Sequence, residues 1–157
     1  MDRVVRVAVA LGSNLGDRQV HLDHAVARLQ SILRRFQVSR YRETVPEGGR
    51  GPQRMYLNAA AVGDTMLAPR ALLDALLAIE AERDRQRPYP NAPRTLDLDL
   101  ILYGEQQVAE EGLTVPHPRF RERRFVLEPL AEIAPALVDP VSGLTVAELL
   151  RRCTGSA

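Results

Sequence analysis

The sequence predicts an α+β fold in which one antiparallel sheet carries two helices on one of its faces. Three observations support this. The 157 residues suit one domain, strand and helix patterns follow each other as βαββαβ, and both helix patterns have one apolar stripe. Two split βαβ units of this kind form a ferredoxin-like sandwich. We therefore expect a single domain over residues 1–157 with a short C-terminal helical extension, and a site on the helix-free face of the sheet.

The first strand and the first helix follow from residue type and periodicity. Residues 4–11 are apolar and rich in valine, and the run GSNLGD behind them supplies turn residues and a helix start at Asp17. Apolar side chains then recur at intervals of three and four from Leu22 to Phe36. This spacing predicts an amphipathic helix that includes Phe36.

Two strands are expected in the middle of the chain. Residues 38–44 form the first, which ends in a loop rich in glycine, proline and charge, and residues 56–66 form the second. Because side chains alternate along a strand, Tyr56 and Asn58 should share one face. The long loops at 45–55 and 84–94 should roof the helix-free face of the sheet.

The second helix is expected to begin at Pro69, a residue that is favourable in a first helical turn. Its apolar stripe consists of Leu72, Leu73, Leu76 and Leu77. The next position of that stripe is Glu80, which marks either the point where the helix leaves the core or a buried carboxylate with a partner. An arginine is the best candidate for such a partner. We favour the exit from the core.

The last strand of the sheet is expected within RTLDLDLILYG, residues 94–104, and has two unlike faces. One face consists of the leucines at positions 96, 98, 100 and 102. The other carries Asp97, Asp99, Ile101 and Tyr103. Short helical pieces are expected after it, near residues 126–134 and 146–152.

Composition limits the possible function classes. The 21 basic and 20 acidic residues leave a formal charge of +1, so no overall field favours nucleic acid or a membrane as a partner. Every basic residue is an arginine, which excludes a lysine-based phosphate loop and leaves arginine, histidine or backbone amides. Cys153 is the single cysteine, and the first apolar run is short and contains Arg6. We expect a cytoplasmic monomer without signal peptide or membrane span.

The pair of Asp97 and Asp99 has the spacing of a cation site. Residues two apart on a strand have Cα atoms about 6.6 Å apart, so both carboxylates can converge on one cation or on two neighbouring cations. A few hard oxygen ligands suit Mg²⁺, which takes its remaining ligands from water and substrate phosphates. The alternative is a pair of solvated aspartates at the start of a strand. Spacing alone leaves both interpretations open.

Cationic and aromatic groups accompany this pair. Three arginines lie between residues 83 and 87, Arg94 follows, and TVPHPRFRERRF adds His117 and four arginines. Facing arginines and a metal pair are what phosphoryl transfer requires, although each single arginine is by default a surface charge. Tyr56 beside Asn58, with Phe125 as a second ring, fits a flat heteroaromatic ligand. The alternative is that both rings belong to the core.

Five motifs together resemble the 6-hydroxymethyl-7,8-dihydropterin pyrophosphokinase family. They are LGSNLGDR (11–18), YLNAA (56–60), PRTLDLDLILYG (93–104), LTVPHPR (113–119) and RFVLEPLAEIAP (124–135). They follow the family's order through nearly the whole chain. The resemblance implies a ferredoxin-like enzyme of folate biosynthesis, which transfers the terminal diphosphate of ATP to the hydroxymethyl group of the pterin, releases AMP and uses two Mg²⁺ ions.

The resemblance also implies which residues contact metal and nucleotide. Asp97 and Asp99 match the metal-binding aspartates of the family, and Thr114 matches a residue near the nucleotide. The triphosphate-contacting groups are matched by Arg85, Arg94, His117 and Arg123. The residues expected to support catalysis are Arg85, Arg94, Asp97, Asp99 and Arg123. Where many members have Gly-Arg-x-Arg this chain has DRQR, and we assign that role to Arg85 rather than to its neighbours Arg83 and Arg87.

The pterin site is implied in the same way. Tyr56 and Phe125 match the two rings that enclose the pterin, and Asn58 matches the amide that reads its hydrogen-bonding edge. The loop that completes the pocket contains Thr44 and Pro46. Some relatives have a tryptophan just before the Pro-Arg of the strand motif, where this chain has NAPR, so an aromatic lid from that loop would have to come from Tyr89.

Two other function classes remain open. One is a different metal-dependent nucleotidyl or phosphoryl transferase on the same fold, which the pairing of Tyr56 with Asn58 disfavours. The other is a non-catalytic module that binds RNA or a protein on its open sheet, which predicts exposed aromatic side chains and a basic face rather than two carboxylates. Formation of AMP from Mg²⁺, ATP and the pterin distinguishes all three.

Overall fold

The computed structural model describes residues 3–45, 55–83 and 95–153. Within these ranges the strands are β1 (Val5–Ser13), β2 (Arg34–Val38), β3 (Arg42–Thr44), β4 (Tyr56–Thr65), β5 (Asp97–Tyr103), β6 (Val108–Glu110) and β7 (Leu113–Val115). The helices are α1 (Arg18–Ile32), α2 (Pro69–Arg83), α3 (Arg124–Ile133) and α4 (Val146–Arg152), and a short 3₁₀ helix (Phe120–Glu122) precedes α3. None of the helices in these ranges is long and apolar enough to cross a membrane.

The main sheet has the order β2, β4, β1, β5, and all its pairs are antiparallel. β3 also pairs with β4, so β2 and β3 together take the place of the single strand predicted at 38–44. Counted as one strand, they give the order second, third, first, fourth, which is that of a ferredoxin-like sheet. The predicted fold class is confirmed. β6 and β7 form a separate two-stranded sheet.

The side chains at both ends of α1 explain where this helix begins and ends. The Asp17 carboxylate accepts a hydrogen bond of 3.2 Å from the backbone N–H of Val20 and caps the first turn. The helix ends at Ile32, because Leu33 already has an extended backbone. The prediction that the helix includes Phe36 is wrong: Phe36 lies on β2 and packs on the core from the sheet.

One face of the main sheet packs on α1 and α2, as predicted. Alternate residues of the central strands point into this core, among them Val7, Val9 and Leu11 of β1. The two helices contribute fully buried side chains, including Leu22, Leu29, Leu72 and Leu76. Each such side chain stabilises the fold by about 1.5–3 kcal/mol relative to its exposed form.

The C-terminal extension covers part of the opposite face, which we expected to be free of helices. The extension buries Val126, Leu127, Leu130 and Leu149. These side chains pack on a patch of the sheet that consists of Ala8, Ala60, Val62 and Ile101. An apolar patch of this kind needs a cover, so only one end of this face remains open. That open end is where the ends of β1 and β4 meet the start of β5.

A β-bulge changes the faces of β5 beyond its middle. Leu100 and Leu102 pair with consecutive residues of β1, which leaves Ile101 without a place in the register. As a result Leu102 packs on the C-terminal extension and Tyr103 on the helix face, the reverse of the predicted arrangement. The carbonyl of Ile101 accepts a hydrogen bond of 3.0 Å from the backbone N–H of His117. The bulge therefore attaches the segment that contains His117 to the sheet.

Candidate functional site

A cavity of about 330 Å³ occupies the open end of this face. Its floor is the end of β1, where Ala10 and Gly12 present almost no side chain. Around the floor stand Thr44, Tyr56 and Asn58 from β3 and β4, Asp97 and Asp99 from β5, and Arg123, Phe125 and Val126 beside or within α3. Most of the side chains that the sequence assigned to a ligand site are thus brought to one place.

The strand register explains this grouping. Gly12 pairs with Asn58 on one side and with Asp97 on the other, and Ala10 pairs with Asp99. A Cβ atom on Gly12 would lie 3.2 Å from Nδ2 of Asn58, so a larger residue would crowd the amide and fill the floor of the cavity. We expected GSNLGD to form a turn and missed the contribution of Gly12. The signal was present as the small residues at alternate positions 8, 10 and 12.

Asp97 and Asp99 both line the cavity, with Asp97 half-buried and Asp99 exposed. The backbone between them is held by Glu80 of α2, whose Oε2 accepts a hydrogen bond of 2.7 Å from the Leu98 N–H. Glu80 is only 6% exposed, so the expectation that the helix leaves the core at this residue is wrong. This buried carboxylate connects α2 directly to the strand that carries the aspartates.

The donor set of Asp97 and Asp99 fits Mg²⁺. Within residues 3–45, 55–83 and 95–153, no group of three or more histidine, cysteine, aspartate or glutamate side chains is arranged to hold a metal ion. Two carboxylates on one strand face therefore supply hard oxygen ligands without completing a coordination shell. Mg²⁺ suits such a set, because it usually keeps several waters and binds through one or two carboxylates plus substrate phosphates.

The wall on β3 and β4 is a connected polar surface. The hydroxyl of Thr44 donates a short hydrogen bond to Oδ1 of Asn58, which is 7% exposed, and Thr44 pairs with Tyr56 in the ladder. This bond fixes the amide with its Nδ2 toward Gly12. Burial and the nearby Asp97 carboxylate raise the pKa of the Tyr56 hydroxyl, so the ring stays neutral and available for stacking.

The opposite wall carries the cations. The Arg123 guanidinium lies 5.6 Å from the centroid of the Phe125 ring. His117 is half-buried, and burial lowers the pKa of its imidazole; Arg123 and Arg119 lower it further, whereas Asp99 opposes the change. Nδ1 of His117 accepts a hydrogen bond of 3.2 Å from the Arg119 N–H, so the neutral ring carries its proton on Nε2. His117 is thereby prepared to donate to an anion.

Other predicted site residues are not part of this group or cannot be placed. Thr114 is exposed on β7, and the described residues that line the cavity do not include it. The predicted contacts outside the described residues are Arg85, Arg94 and Pro46, together with Arg87 and the aromatic Tyr89. Arg83 is described, and its Nε donates a hydrogen bond of 3.0 Å to Nδ1 of His21 on α1. This contact assigns Arg83 to the junction of α1 and α2.

The arrangement combines two binding environments in one cavity. Tyr56, Phe125 and the Asn58 amide suit a flat ring that has hydrogen-bonding groups on its edge. Asp97 and Asp99 stand beside the cations of the α3 wall, which suits a polyanion bound with divalent metal. A group transferred between a ring substituent and a polyphosphate would lie between these two environments.

A family model and curated relatives match nearly the whole chain. The model described as 7,8-dihydro-6-hydroxymethylpterin-pyrophosphokinase matches residues 8–135. A Methylorubrum extorquens protein named 2-amino-4-hydroxy-6-hydroxymethyldihydropteridine pyrophosphokinase is 42% identical over 150 residues, which cover 95% of this chain and 94% of that relative. A Bacillus subtilis protein of the same name is 45% identical over 127 residues, which cover 80% of this chain and 75% of that relative.

Solved structures agree with the fold. A crystal structure of Plasmodium falciparum HPPK-DHPS superimposes with a TM-score of 0.78 at 13% sequence identity, covering 97% of this chain. The chain spans 45% of the length of that protein. At this identity the likeness concerns the fold alone, and it supports the ferredoxin-like arrangement of strands and helices.

Proposed function

The chain belongs to the 7,8-dihydro-6-hydroxymethylpterin-pyrophosphokinase family, and we propose that it transfers diphosphate from ATP to the hydroxymethyl group of 6-hydroxymethyl-7,8-dihydropterin. The products are AMP and the pterin diphosphate, in a step of folate biosynthesis. One observation carries this proposal: a single cavity joins an aromatic and amide wall to a pair of carboxylates.

The pterin would bind in the part of the cavity that lies between β4 and α3. Tyr56 and Phe125 would stack on the two faces of the bicyclic ring, because flat rings gain dispersion and quadrupole contacts on aromatic faces. The Asn58 amide, with its orientation set by Thr44, would donate from Nδ2 to the edge of the ring. Pro46 is proposed to complete this pocket on the basis of the family resemblance.

ATP would bind beside Asp97 and Asp99, with Arg123 and His117 on its phosphates. These residues would hold two Mg²⁺ ions, which supply positive charge to the triphosphate and activate the attacking oxygen. Arg123 donates a planar fork to phosphate oxygens, and the Nε2–H of His117 donates to another. Arg85 and Arg94 are proposed as further phosphate contacts and Thr114 as a nucleotide contact, all from the family resemblance.

The reaction would be a direct in-line displacement. The hydroxymethyl oxygen attacks the β-phosphorus of ATP, a new O–P bond forms, and the bond between the β-phosphorus and the bridging oxygen of AMP breaks. AMP leaves with that bridging oxygen, and the hydroxyl proton passes to water or to a carboxylate of the site. The cavity residues contribute by holding the two substrates in line and by neutralising charge. Closure of segments 45–55 and 84–94 after ATP binds, which would exclude water, stays a prediction from the sequence.

The direct test is product analysis. Purified protein is incubated with Mg²⁺, ATP and 6-hydroxymethyl-7,8-dihydropterin, and the nucleotide products are separated. We expect AMP and the pterin diphosphate in equal amounts, both dependent on the pterin. Pterin-dependent ADP would instead indicate transfer of a single phosphate, and the absence of any pterin-dependent product would exclude the proposed activity.

Three further properties stay predictions from the sequence: a monomeric state, a location in the cytoplasm and the absence of nucleic-acid and membrane partners. A sedimentation measurement checks the first of them. The alternative of an RNA-binding sheet receives little support, because α3 and α4 cover much of the face that such a module would use and carboxylates stand at the open end.

A further inference from the structure

A cluster of ion pairs joins β3 to α3 next to the cavity. Nη1 of Arg42 lies 3.1 Å from Oε2 of Glu128, and Nη2 of Arg42 lies 2.8 Å from Oε1 of Glu132. Glu128 also accepts a hydrogen bond of 2.6 Å from Nε of Arg124, and Glu132 accepts one of 2.9 Å from the backbone N–H of Arg40. We call these five residues the β3–α3 cluster.

The β3–α3 cluster connects the two walls of the cavity. On one side Arg42 pairs with Asn58 in the ladder, and Thr44, the hydrogen-bond partner of Asn58, lies two residues further along the same strand. On the other side Arg124 directly precedes Phe125, and Glu128 lies within the same helix. The cluster therefore joins the backbone that presents the Thr44 and Asn58 pair to the backbone that presents the Phe125 ring.

Apolar packing does not fill the space behind Phe125. A second cavity of about 260 Å³ lies there, lined by Arg42, Arg124, Phe125 and Glu128 among others, and Phe125 lines both cavities. The ring thus separates two open spaces. On this side its distance from the β4 wall depends on the ion pairs that hold α3 against β3.

We infer that Arg42 and Glu128 are positioning residues, which set the gap between the Tyr56 and Phe125 rings and so determine how tightly a flat bicyclic ring is held. This inference rests on the proposed function, because it names the pterin as the ring that fills the gap. The cluster does not reach the carboxylates of β5. Its loss should therefore weaken pterin binding and leave ATP binding nearly unchanged.

The physical reason for a positioning role is the geometry of the guanidinium. The side chains of Arg42 and Glu128 are 25% and 34% exposed, and ion pairs with this exposure contribute little to global stability. Arg42 nevertheless binds two glutamates through its two terminal nitrogens, and a planar fork of this kind fixes direction as well as distance. Displacement of a stacking ring by a fraction of an ångström is enough to reduce affinity.

The chain contains a matched control cluster. Asp64 accepts from Nε of Arg35 at 2.6 Å and from Nη1 of Arg6 at 3.1 Å, the same distances that Glu128 has to Arg124 and Arg42. Asp64 lies near the other end of β4 from Asn58. The variant Asp64→Asn therefore removes comparable ion pairs from the same sheet without touching the cavity.

The test compares Glu128→Gln, Arg42→Gln, their double variant and Asp64→Asn. Dissociation constants are measured for the dihydropterin in the presence of α,β-methylene-ATP and Mg²⁺, and for that nucleotide alone. We expect each single cavity-side variant to weaken pterin binding by about 5-fold to 10-fold, with a double variant no worse than the weaker single one, because the two residues act as one unit. Nucleotide binding should stay within about 2-fold in all variants.

Arg42→Lys adds a check on geometry. A lysine keeps the charge but cannot bind both glutamates through a planar fork, so it should restore only part of the pterin affinity lost in Arg42→Gln. Asp64→Asn should lower the melting temperature at least as much as Glu128→Gln and leave pterin affinity unchanged. Equal losses of pterin affinity in both variants would reduce the cluster to a structural role and overturn the inference.

A readout without substrate separates this inference from the proposed function. Crystal structures of the wild type and of Glu128→Gln give the distance between the Tyr56 and Phe125 rings directly. A changed distance supports the positioning role even if the wild type forms no AMP from the pterin. An unchanged ring distance overturns the positioning role, whatever the activity assay gives.

Discussion

The carboxylate of Glu80 accepts a hydrogen bond of 2.7 Å from the backbone N–H of Leu98, the residue between Asp97 and Asp99. β5 is the last strand of its sheet and pairs with β1, so one edge of its backbone has no neighbouring strand in that sheet. The buried Glu80 satisfies a donor on this edge, where an unpaired group would be costly. α2 thereby holds the backbone of the proposed metal site.

Replacement of Glu80 by alanine should affect both the fold and the site. The Leu98 N–H would lose a buried charged acceptor, which should lower the free energy of unfolding by about 1–3 kcal/mol. Turnover should also fall, with a weaker dependence on Mg²⁺ concentration, because the backbone between the two aspartates is released. Urea denaturation and a Mg²⁺ titration of AMP formation measure the two effects. Glu82→Gln, at a more exposed position on the same helix, should leave the Mg²⁺ dependence unchanged; an equal change there would refute a specific role for Glu80.

Replacement of Asp97 by alanine should abolish turnover and leave the fold intact. Asp97 lines the cavity beside Asp99, and removing one of two neighbouring carboxylates relieves their repulsion in the metal-free protein. The melting temperature without Mg²⁺ should therefore be equal to or above that of the wild type, while stabilisation by Mg²⁺ with nucleotide is lost. Calorimetry with and without the ligands measures this. Near-normal activity of Asp97→Ala with Mg²⁺ would show that the assignment of this residue as a metal ligand is incorrect.

The sequence predicts the elements of the fold better than their boundaries. The βαββαβ order and the caps are local properties, so they can be recognised from periodicity and from single residues such as Asp17 and Pro69. Phe36 could not be placed in this way, because its spacing fits a helix while its pairing with the sheet depends on distant residues. The bulge at Ile101 is likewise set by contacts across the sheet and by the His117 N–H, and it reversed the faces of Leu102 and Tyr103.

For the site, the sequence predicts the residue types that carry the chemistry but not the surface that supports them. Asp97 with Asp99, and Tyr56 with Asn58, can be recognised because alternation along one strand is a local rule. Gly12 is part of the cavity only because two neighbouring strands bring Asn58 and Asp97 to its sides. The partner of Glu80 could not be predicted either, since a backbone N–H has no signature in the sequence.

Replacement of Asn58 by alanine should weaken pterin binding selectively. The amide is nearly buried, is oriented by the Thr44 hydroxyl and stands on the opposite side of Gly12 from Asp97. A buried amide that reads a ring edge contributes about 1–3 kcal/mol when its loss leaves polar groups unpaired, which corresponds to about 5-fold to 150-fold in affinity. Titration of the dihydropterin and of ATP measures the two affinities separately. Thr44→Val should give a smaller loss of the same kind, and equal losses for both ligands in Asn58→Ala would contradict its assignment to the pterin.

The C-terminal extension contains a buried ion pair with a measurable pH signature. Asp139 is fully buried and accepts hydrogen bonds of 2.5 and 2.8 Å from Arg121, in addition to one of 2.6 Å from the Ser142 hydroxyl. Burial alone would raise the pKa of the Asp139 carboxyl, but the bonds from Arg121, Ser142 and the Val141 N–H outweigh it and lower the pKa from 3.8 to about 2.

Because the pKa of Asp139 is lower in the folded state, its contribution to stability should be fully present above pH 4 and should be lost as the pH falls toward 2. The shift corresponds to about 2 kcal/mol. Asp139→Asn should therefore be less stable than the wild type by at least about that amount at neutral pH, and the difference should shrink below pH 4, since the wild-type carboxyl is then protonated as well. Urea denaturation of both proteins at several values between pH 7 and pH 2 measures the difference. The exposed Asp74 on α2 is the control, and Asp74→Asn should change stability by less than about 0.5 kcal/mol. A stability difference for Asp139→Asn that stays constant down to pH 2 would mean that the charge of Asp139 does not stabilise the extension.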